Sequence, residues 1–146
     1  MNLILILFNF QTQCQMMEQA EEGNDDEDDA EDPDSEASEK LIEYAGDVLP
    51  ALGSAMTPQE FAPYFAGLLP SIIQRTKKHC TIAEKSFSAG VLAVCMEPLD
   101  GVLEPFVPLL YTTFTTLMRD ADNEVHNNSV FGLGELVLHG RELLFP

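Results

Sequence analysis

A short pattern recurs along this chain with a spacing of 44 residues. "FSAGVL" begins at Phe87 and "FGLGEL" begins at Phe131, so both contain Phe-x-x-Gly-x-Leu. A weaker copy, "EYAGDV", lies one further spacing upstream and keeps its glycine as Gly46. A repeat of this length is the size of one supersecondary unit, which cannot bury its apolar face alone and stacks on its neighbours. We therefore expect a stack of similar units.

Helix-start and helix-stop signals divide residues 39–140 into helices of about 15–20 residues. Thr57–Glu60 and Thr81–Glu84 read as capping boxes, and Asp122 is the natural cap of a third helix. Asp100 is predicted to cap the helix that lies between the Thr81–Glu84 capping box and Asp122. Gly140 is predicted to end the helix that Asp122 caps, because glycine can take a positive φ. Because no segment shows the sustained alternation of a half-buried strand, the chain is predicted to be all-α.

Two helices per unit and a period in the mid-forties match HEAT or armadillo repeats, whose units are about 40–47 residues long. A helical bundle with accidental internal similarity is the alternative. The predicted units are the second helix of one repeat (39–56), a repeat at 58–97, a repeat at 101–140 and the start of another (141–146). The residues expected to pack between repeats are Phe87, Gly90, Leu92, Phe131, Gly134 and Leu136.

Apolar spacing assigns one buried face to each helix. Phe87 and Phe131 are expected to be largely buried, and the glycines beside them are expected to let helices approach closely. The four predicted faces are Phe61, Phe65, Leu68, Leu69, Ile72 and Ile73; Ala83, Phe87, Gly90, Val91 and Val94; Phe106, Leu109, Leu110, Phe114, Leu117 and Met118; and Val125, Val130, Leu133, Leu136 and Val137.

Negative charge is concentrated before the helices. The formal net charge is −18, and 13 of the 25 acidic residues lie in positions 1–39, where no Lys or Arg occurs. Residues 21–38 are expected to form a disordered acidic loop, because the charges repel and little apolar area is available to bury. Such a loop either contacts a basic partner or serves as a solvated spacer. Without clustered Lys and Arg, direct nucleic-acid binding is not expected.

A calcium-binding reading of Asp32–Glu43 is disfavoured, because Ala37 stands where an EF-hand loop needs glycine. Cys14, Cys80 and Cys95 are too few and too scattered for a disulfide framework, and they fit a reducing compartment. Cys80 follows a histidine without ligand-like spacing, so neither zinc nor Cys–His catalysis is expected, and Cys95 is expected to pack in an apolar face.

No nucleophile–base set, metal cluster or phosphate-binding loop indicates an enzyme or a cofactor. Residues 1–20 form a segment of unclear status. Its apolar run, Leu3–Phe8, is too short to span a bilayer, and it lacks the flanks of a secretory signal.

The stretch "DADNEVHNNSVFGLGEL" is similar to the second helix of a HEAT repeat from importin-beta-type nuclear transport receptors. "SEKLIEYAGDVLPALGSAMTPQEFAPYFAGLLP" and the later "CTIAEKSF" resemble the same family more specifically. The resemblance covers residues 25–146, about two and a half repeats. This sequence departs from the HEAT pattern at His126, where such repeats usually carry arginine. A row of Asp–Arg pairs running through the stack is therefore not expected to include this position.

The resemblance implies an α-solenoid that carries basic cargo, such as core histones and ribosomal proteins, between cytoplasm and nucleus. It also implies control by a Ran-type GTPase and contact with nucleoporins, both through parts of the receptor outside this internal section. A HEAT scaffold for a phosphatase or kinase, or an acidic histone chaperone, remains an alternative. The second helices would line the concave face. The cargo-contact candidates are Asp25, Asp26, Glu27, Asp28, Asp29, Glu31, Asp32, Asp34, Glu36, Glu84 and Asn127.

Overall fold

Helices make up nearly all the regular structure in residues 46–144, the part of the chain that the computed structural model describes, apart from the side chains of Arg141 and Glu142. No strand occurs within this range, so the all-α prediction is confirmed. The elements, in order, are α1 (46–55), α2 (Pro58–Gln74), α3 (Ile82–Val94), the 3₁₀ turns Glu97–Leu99 and Glu104–Phe106, α4 (Val107–Leu117), α5 (Asn123–His139) and α6 (Arg141–Leu144).

The starts of α2 and α3 confirm the two predicted capping boxes. Thr57 Oγ1 accepts from the Glu60 N–H at 3.3 Å, and the Thr57 N–H donates to Glu60 Oε2 at 3.0 Å. The N–H and hydroxyl of Thr57 lower the pKa of the Glu60 carboxyl. Asp122 caps α5 as predicted, since its Oδ1 accepts from the Glu124 N–H at 2.9 Å. Each cap satisfies backbone donors that have no partner within the helix.

One boundary prediction is wrong, and another is right in position but not in backbone conformation. Asp100 does not cap α4, which begins at Val107 after a 3₁₀ turn and without a side-chain cap. Gly101, with φ of 81°, turns the chain there, and Leu103 is buried, so packing rather than a cap positions this segment. Gly140 ends α5 with φ of −109°, which is not a left-handed conformation.

From Leu49 onward the described residues form one compact unit. Helix α5 packs along both α3 and α4, while α2 packs on the 3₁₀ turn Glu97–Leu99. The ring of Phe65 meets Phe106 edge-on, with centroids 5.1 Å apart, and this contact couples α2 to the start of α4. HEAT repeats build an α-solenoid from stacked helix pairs of this kind. The exact repeat boundaries stay a prediction.

The predicted buried face is largely correct for α2 but wrong in part for the other helices. On α2, Ile73 alone of the predicted set is only partly buried. The prediction fails where Ala83, Val94, Leu109, Met118, Val130 and Val137 are exposed. Helices α3 and α5 instead bury small residues, namely Ser86, Ser88, Ala89, Ala93, Ser129 and Gly132.

Small residues are buried in place of the predicted larger ones because α3 and α5 each pack against more than one helix. Small side chains let backbones come close on a contact side, and a serine hydroxyl buried there can bond within its own helix. The Ser129 hydroxyl does so by donating to the Val125 carbonyl at 2.6 Å, whereas the buried Ser88 Oγ has no such partner.

Candidate partner-binding surface

Helices α3 and α5 are joined by polar contacts near their starts. Asn128 Nδ2 donates to the carbonyl and to the hydroxyl of Ser86, at 3.1 and 3.0 Å. The same amide nitrogen lies 3.7 Å from where a Cβ of Gly90 would be. Because these contacts join the first half of each helix, the two helices start at the same edge and present neighbouring surfaces.

An ion pair reinforces this edge. Lys85 Nζ lies 2.9 Å from Asp120 Oδ2, and the two side chains are only 13% and 21% exposed. The other carboxylate oxygen of Asp120 accepts from the Asp122 N–H at 3.1 Å, next to the cap of α5. The hydrogen bond from Lys85 lowers the pKa of the Asp120 carboxyl. One carboxylate thus ties α3 to the turn that starts α5.

His126 occupies the position where HEAT repeats usually carry arginine. Its Nδ1 lies 2.7 Å from the Met118 carbonyl oxygen, so the imidazole N–H donates to the end of α4. Asp120, in the turn before α5, is paired with Lys85 of α3. This contact between α3 and the start of α5 therefore depends on a lysine.

The glycines that allow close helix approach are not the predicted ones. A Cβ on Gly132 would overlap the ring of Phe114, and one on Gly53 would lie 2.6 Å from Pro98 Cβ. By contrast, a Cβ on Gly134 would meet nothing within 4 Å. Gly134 therefore does not serve close helix approach, and a Cβ on Gly90 would meet the Asn128 amide of α5 only at ordinary van der Waals distance.

The repeated Phe-x-x-Gly-x-Leu pattern divides between two environments. Leu92 and Leu136 are both fully buried, whereas Phe131 is 52% exposed and Phe87 is only partly buried. The prediction of a largely buried ring is thus wrong for Phe131. Five residues along a helix correspond to about 500° of rotation, so the leucine points well away from the phenylalanine. Whether Leu92 and Leu136 occupy equivalent repeat layers stays a prediction.

We call the exposed apolar sides of α3 and α5 the open face. Val94 is 42% exposed, Phe131 52% and Leu138 51%. Gly90 and Gly134 complete the open face, and Gly134 is also exposed. Exposed acidic side chains follow the end of α3, at Glu97 and Asp100, and lie in the first turn of α5, at Glu124.

A second apolar surface, which we call the end face, lies on the side of α5 away from α3. Val130 is 47% and Val137 is 42% exposed there. A pocket of about 220 Å³ lies alongside, lined by Tyr111, Leu133, Leu136, Val137 and Leu144. Val130, Leu133 and Val137 follow Ser86, Ala89 and Ala93 by the 44-residue spacing, and those three are buried on α3. This equivalence indicates that a further helix fits on the end face.

The sequence-predicted contact residues fall into three groups. The Glu84 carboxylate is held in its capping box, accepting from the Thr81 N–H at 2.8 Å and from the Thr81 hydroxyl at 3.2 Å. Asn127 is exposed on α5. The nine acidic candidates of the Asp25–Glu36 segment lie outside the described residues, as do residues 1–20 and the disfavoured calcium loop.

A polar pocket lies at the C-terminal end of α5. His139 is 14% exposed, and its two ring nitrogens lie 3.5 Å from Asp100 Oδ1 and 3.4 Å from Glu135 Oε2. Asp100 and Glu104 are among the residues that line this pocket of about 460 Å³. Its lining places two exposed carboxylates close to Leu138 of the open face.

Cys95 is fully buried, as predicted, and burial raises the pKa of its thiol to about 12. Cys80 is partly buried, and its thiol donates to the Gln74 carbonyl at 3.3 Å. Across residues 46–144, no three His, Cys, Asp or Glu side chains come together in a way that would hold a metal ion. Nor does any helix in that range combine the length and apolarity needed to cross a bilayer.

No protein-family profile matches the chain. Over 100 residues, 68% of its length, the chain is 43% identical to importin-4 of Homo sapiens and 42% identical to importin-4 of Mus musculus. The chain belongs to the importin-beta family. It spans 9% of the length of these two relatives. The packed helix pairs α2–α3 and α4–α5 fit the HEAT-like solenoid of that family.

The contacts that join neighbouring units of this importin-type chain were not predicted from the sequence. They include Lys85–Asp120, 35 residues apart, and Asn128–Ser86, 42 residues apart. The separation of Asn128 and Ser86 is close to the 44-residue repeat spacing, whereas that of Lys85 and Asp120 is nine residues shorter. The identity of each pair depends on how the helices rotate against each other, and a single sequence does not report that rotation.

Proposed function

We propose that this chain is part of the cargo-binding section of an importin-beta-type receptor. Its cargo class is basic protein, with core histones and ribosomal proteins as the expected examples. It works in the cytoplasm and the nucleus, and a Ran-type GTPase controls cargo release through other parts of the receptor. The observation that carries this proposal is the 43% identity to human importin-4 across 68% of the chain.

The charge distribution supports basic cargo. The chain has a formal net charge of −18, and the Asp25–Glu36 segment holds nine of its carboxylates without a nearby Lys or Arg. Dense negative charge raises the association rate of cationic partners, and salt screens the effect. Individual exposed ion pairs contribute only about 0–1 kcal/mol, so many weak contacts are needed.

The surface of the helical unit supports binding rather than catalysis. Its exposed groups on α3 and α5 are mainly apolar side chains, with the polar side chains of Asn123, Glu124, His126 and Asn127 at the start of α5. A surface of this composition suits a protein partner, because interfaces combine apolar anchors with a polar rim.

The test compares the chain with a variant in which the nine carboxylates of Asp25–Glu36 become Asn or Gln. This variant keeps length and polarity and removes only charge. Binding to a core-histone complex is measured by biolayer interferometry at low and high salt. We expect slower association and a smaller salt slope for the variant. Unchanged kinetics and slope would leave the acidic segment as a spacer.

Two controls separate the alternatives. Release of the histone by Ran-GTP from the longer receptor is expected of an importin, and neither a phosphatase or kinase scaffold nor a histone chaperone would respond. A calcium titration monitored at Asp32–Glu43 should produce no change. Calcium-dependent ordering there would restore the metal-site interpretation.

A further inference from the structure

The up-and-down order of the helices brings alternate helix ends to one edge of the described unit. Helices α2 and α4 end where α3 and α5 begin, at residues 74–86 and 117–128. The ion pair of Lys85 with Asp120 joins these two turns, with 2.9 Å between Nζ and Oδ2. We call the two ranges together the turn edge. The starts of α2 and α4 and the ends of α3 and α5 lie at the opposite edge.

The fold sorts charge between these two edges. Five of the six Lys and Arg residues in 46–144 lie at the turn edge, and the sixth, Arg141, follows α5. The opposite edge carries exposed carboxylates at Glu60, Glu97 and Glu104. Positive charge is therefore concentrated on one edge of a chain whose formal net charge is −18.

Three of the cations at the turn edge face solvent. Lys77 and Lys78 are exposed in a turn that is closed by the Cys80 N–H, which donates to the Lys77 carbonyl at 3.0 Å. Arg119 is exposed in the equivalent turn of the next helix pair, where its N–H donates to the Thr116 carbonyl at 3.2 Å. Within the described part of the chain, no carboxylate forms an ion pair with Lys77, Lys78 or Arg119.

Helix stability does not account for these exposed cations. A positive charge stabilises a helix C-terminus only within about the last turn, and neither α2 nor α4 has a basic residue there. Helix α2 ends at Gln74 and is followed by the buried Arg75, so Lys77 and Lys78 lie beyond its cap. The three cations are therefore available to an anionic partner.

The neighbouring carboxylates determine which kind of anion fits. Asp122 and Glu124 follow Arg119 at the same edge. A nucleic-acid strand carries a negative charge on every phosphate and would meet these carboxylates as well as the cations. A peptide, in contrast, can place its acidic side chains opposite the cations alone.

The spacing of the two turns sets the spacing of acidic residues in such a peptide. Packed helices such as α3 and α5 have axes about 8–10 Å apart, so their starting turns are separated by a similar distance. An extended peptide advances about 3.3 Å per residue. Acidic residues about three positions apart therefore reach both turns.

We propose that the turn edge binds an acidic peptide segment of a partner protein, in which a pair of acidic residues precedes or follows a third by about three positions. The pair contacts Lys77 and Lys78, and the third carboxylate contacts Arg119. This inference goes beyond the proposed function, because it concerns a partner of the opposite charge at a different surface.

The experiment uses the full chain and two fluorescent peptides. One is Gly-Glu-Glu-Ser-Ser-Glu-Gly, and the other has Gln in place of each Glu. At about 0.15 M salt the Debye length is about 8 Å, which screens distant carboxylates of the chain more than contacting groups. We expect the Glu peptide to bind at least about fivefold more tightly in an anisotropy titration. The double change Lys77→Gln and Lys78→Gln should remove most of this preference.

A charge-matched pair of variants separates the turn edge from the overall charge. Arg119→Gln should weaken binding of the Glu peptide about threefold. Gln59→Glu makes the same change in net charge at an exposed position in the first turn of α2, at the opposite edge, and should have no effect. All of these substitutions are at exposed positions, so the circular dichroism spectrum should not change.

A charge swap tests the assigned contact directly. When Lys replaces the last Glu of the peptide, the modified peptide should bind Arg119→Glu more tightly than it binds the wild-type chain. Equal binding of the Glu and Gln peptides, equal losses in Arg119→Gln and Gln59→Glu, or no preference in the charge swap would overturn the proposal. Tighter binding of a short oligodeoxythymidine than of the Glu peptide would also overturn it, in favour of nucleic acid.

Discussion

The ring of Phe114 on α4 lies against the backbone of Gly132 on α5, so closely that a Cβ on Gly132 would overlap it. Phe114 is fully buried, and Gly132 is buried with it. The contact sets the distance between the two helices of this hairpin, since any larger residue at Gly132 would push the ring away.

Gly132→Ala should therefore destabilise the chain, although alanine is the better helix former. Helix propensity favours the change by about 1 kcal/mol, while overpacking a filled core costs about 1–3 kcal/mol. Gly134→Ala is the matched control, because it makes the same change where space is open, and it should stabilise by up to about 1 kcal/mol. Urea denaturation measures both, and a stabilising Gly132→Ala would refute the contact.

Asp120→Asn should lower stability by about 1 kcal/mol, the upper end of the range for exposed pairs, because the Lys85–Asp120 pair is partly buried. Since the pKa of Asp120 is lowered in the folded state, its contribution is present above the unfolded pKa of about 3.9 and is lost as pH falls further. The difference in the free energy of unfolding between wild type and Asp120→Asn should therefore be constant above about pH 5 and disappear in acid.

The control for this prediction is Asp47→Asn, which removes the same charge from an exposed position on α1. It should change stability by less than about 0.5 kcal/mol, as surface substitutions usually do. Equal effects of the two variants across the pH range would mean that the Lys85 contact contributes nothing specific.

Glu84→Gln separates the capping role of Glu84 from a cargo contact. Glutamine also completes a capping box, so stability should stay within about 0.5 kcal/mol of wild type. Thr81→Ala removes the cap itself and should cost about 1 kcal/mol. Because the Glu84 carboxylate already accepts two hydrogen bonds from Thr81, affinity for a core histone should not change in Glu84→Gln. A weaker complex would restore Glu84 as a contact residue.

The end face should make the isolated chain self-associate. The double change Val130→Ser and Val137→Ser removes its exposed apolar side chains and should lower the apparent mass at high concentration in analytical ultracentrifugation. Ile82→Ser, a change of similar exposure elsewhere, should leave the association unchanged. A wild-type chain that stays monodisperse at high concentration would contradict this prediction.

Cys95 should resist alkylation in the folded chain, because its thiol is buried and its pKa is raised to about 12. Peptide mass mapping after iodoacetamide treatment should find Cys95 modified only when denaturant is present. Stability should also fall as pH rises above about 8.5, since the unfolded thiol ionises there while the folded one stays neutral. Rapid labelling without denaturant would show that the surrounding core opens readily.

Features that depend on a few neighbouring residues were predictable. The caps at Thr57, Thr81 and Asp122 follow from local hydrogen bonding between residues two or three apart, and the structure confirms all three. The 44-residue repeat spacing likewise predicted stacked helical units. Even the buried thiol of Cys95 follows from its place in an apolar run.

The sequence by itself thus determined that the chain is helical, where most helices begin, and that similar units stack. Only the tertiary structure decided which side of α3 and α5 is buried. It buried Ser86 and Gly132, because a helix between two neighbours places small residues on its contact sides, and it left Phe131 exposed. Apolar periodicity assumes one buried stripe per helix, and that assumption fails where a helix packs on two others.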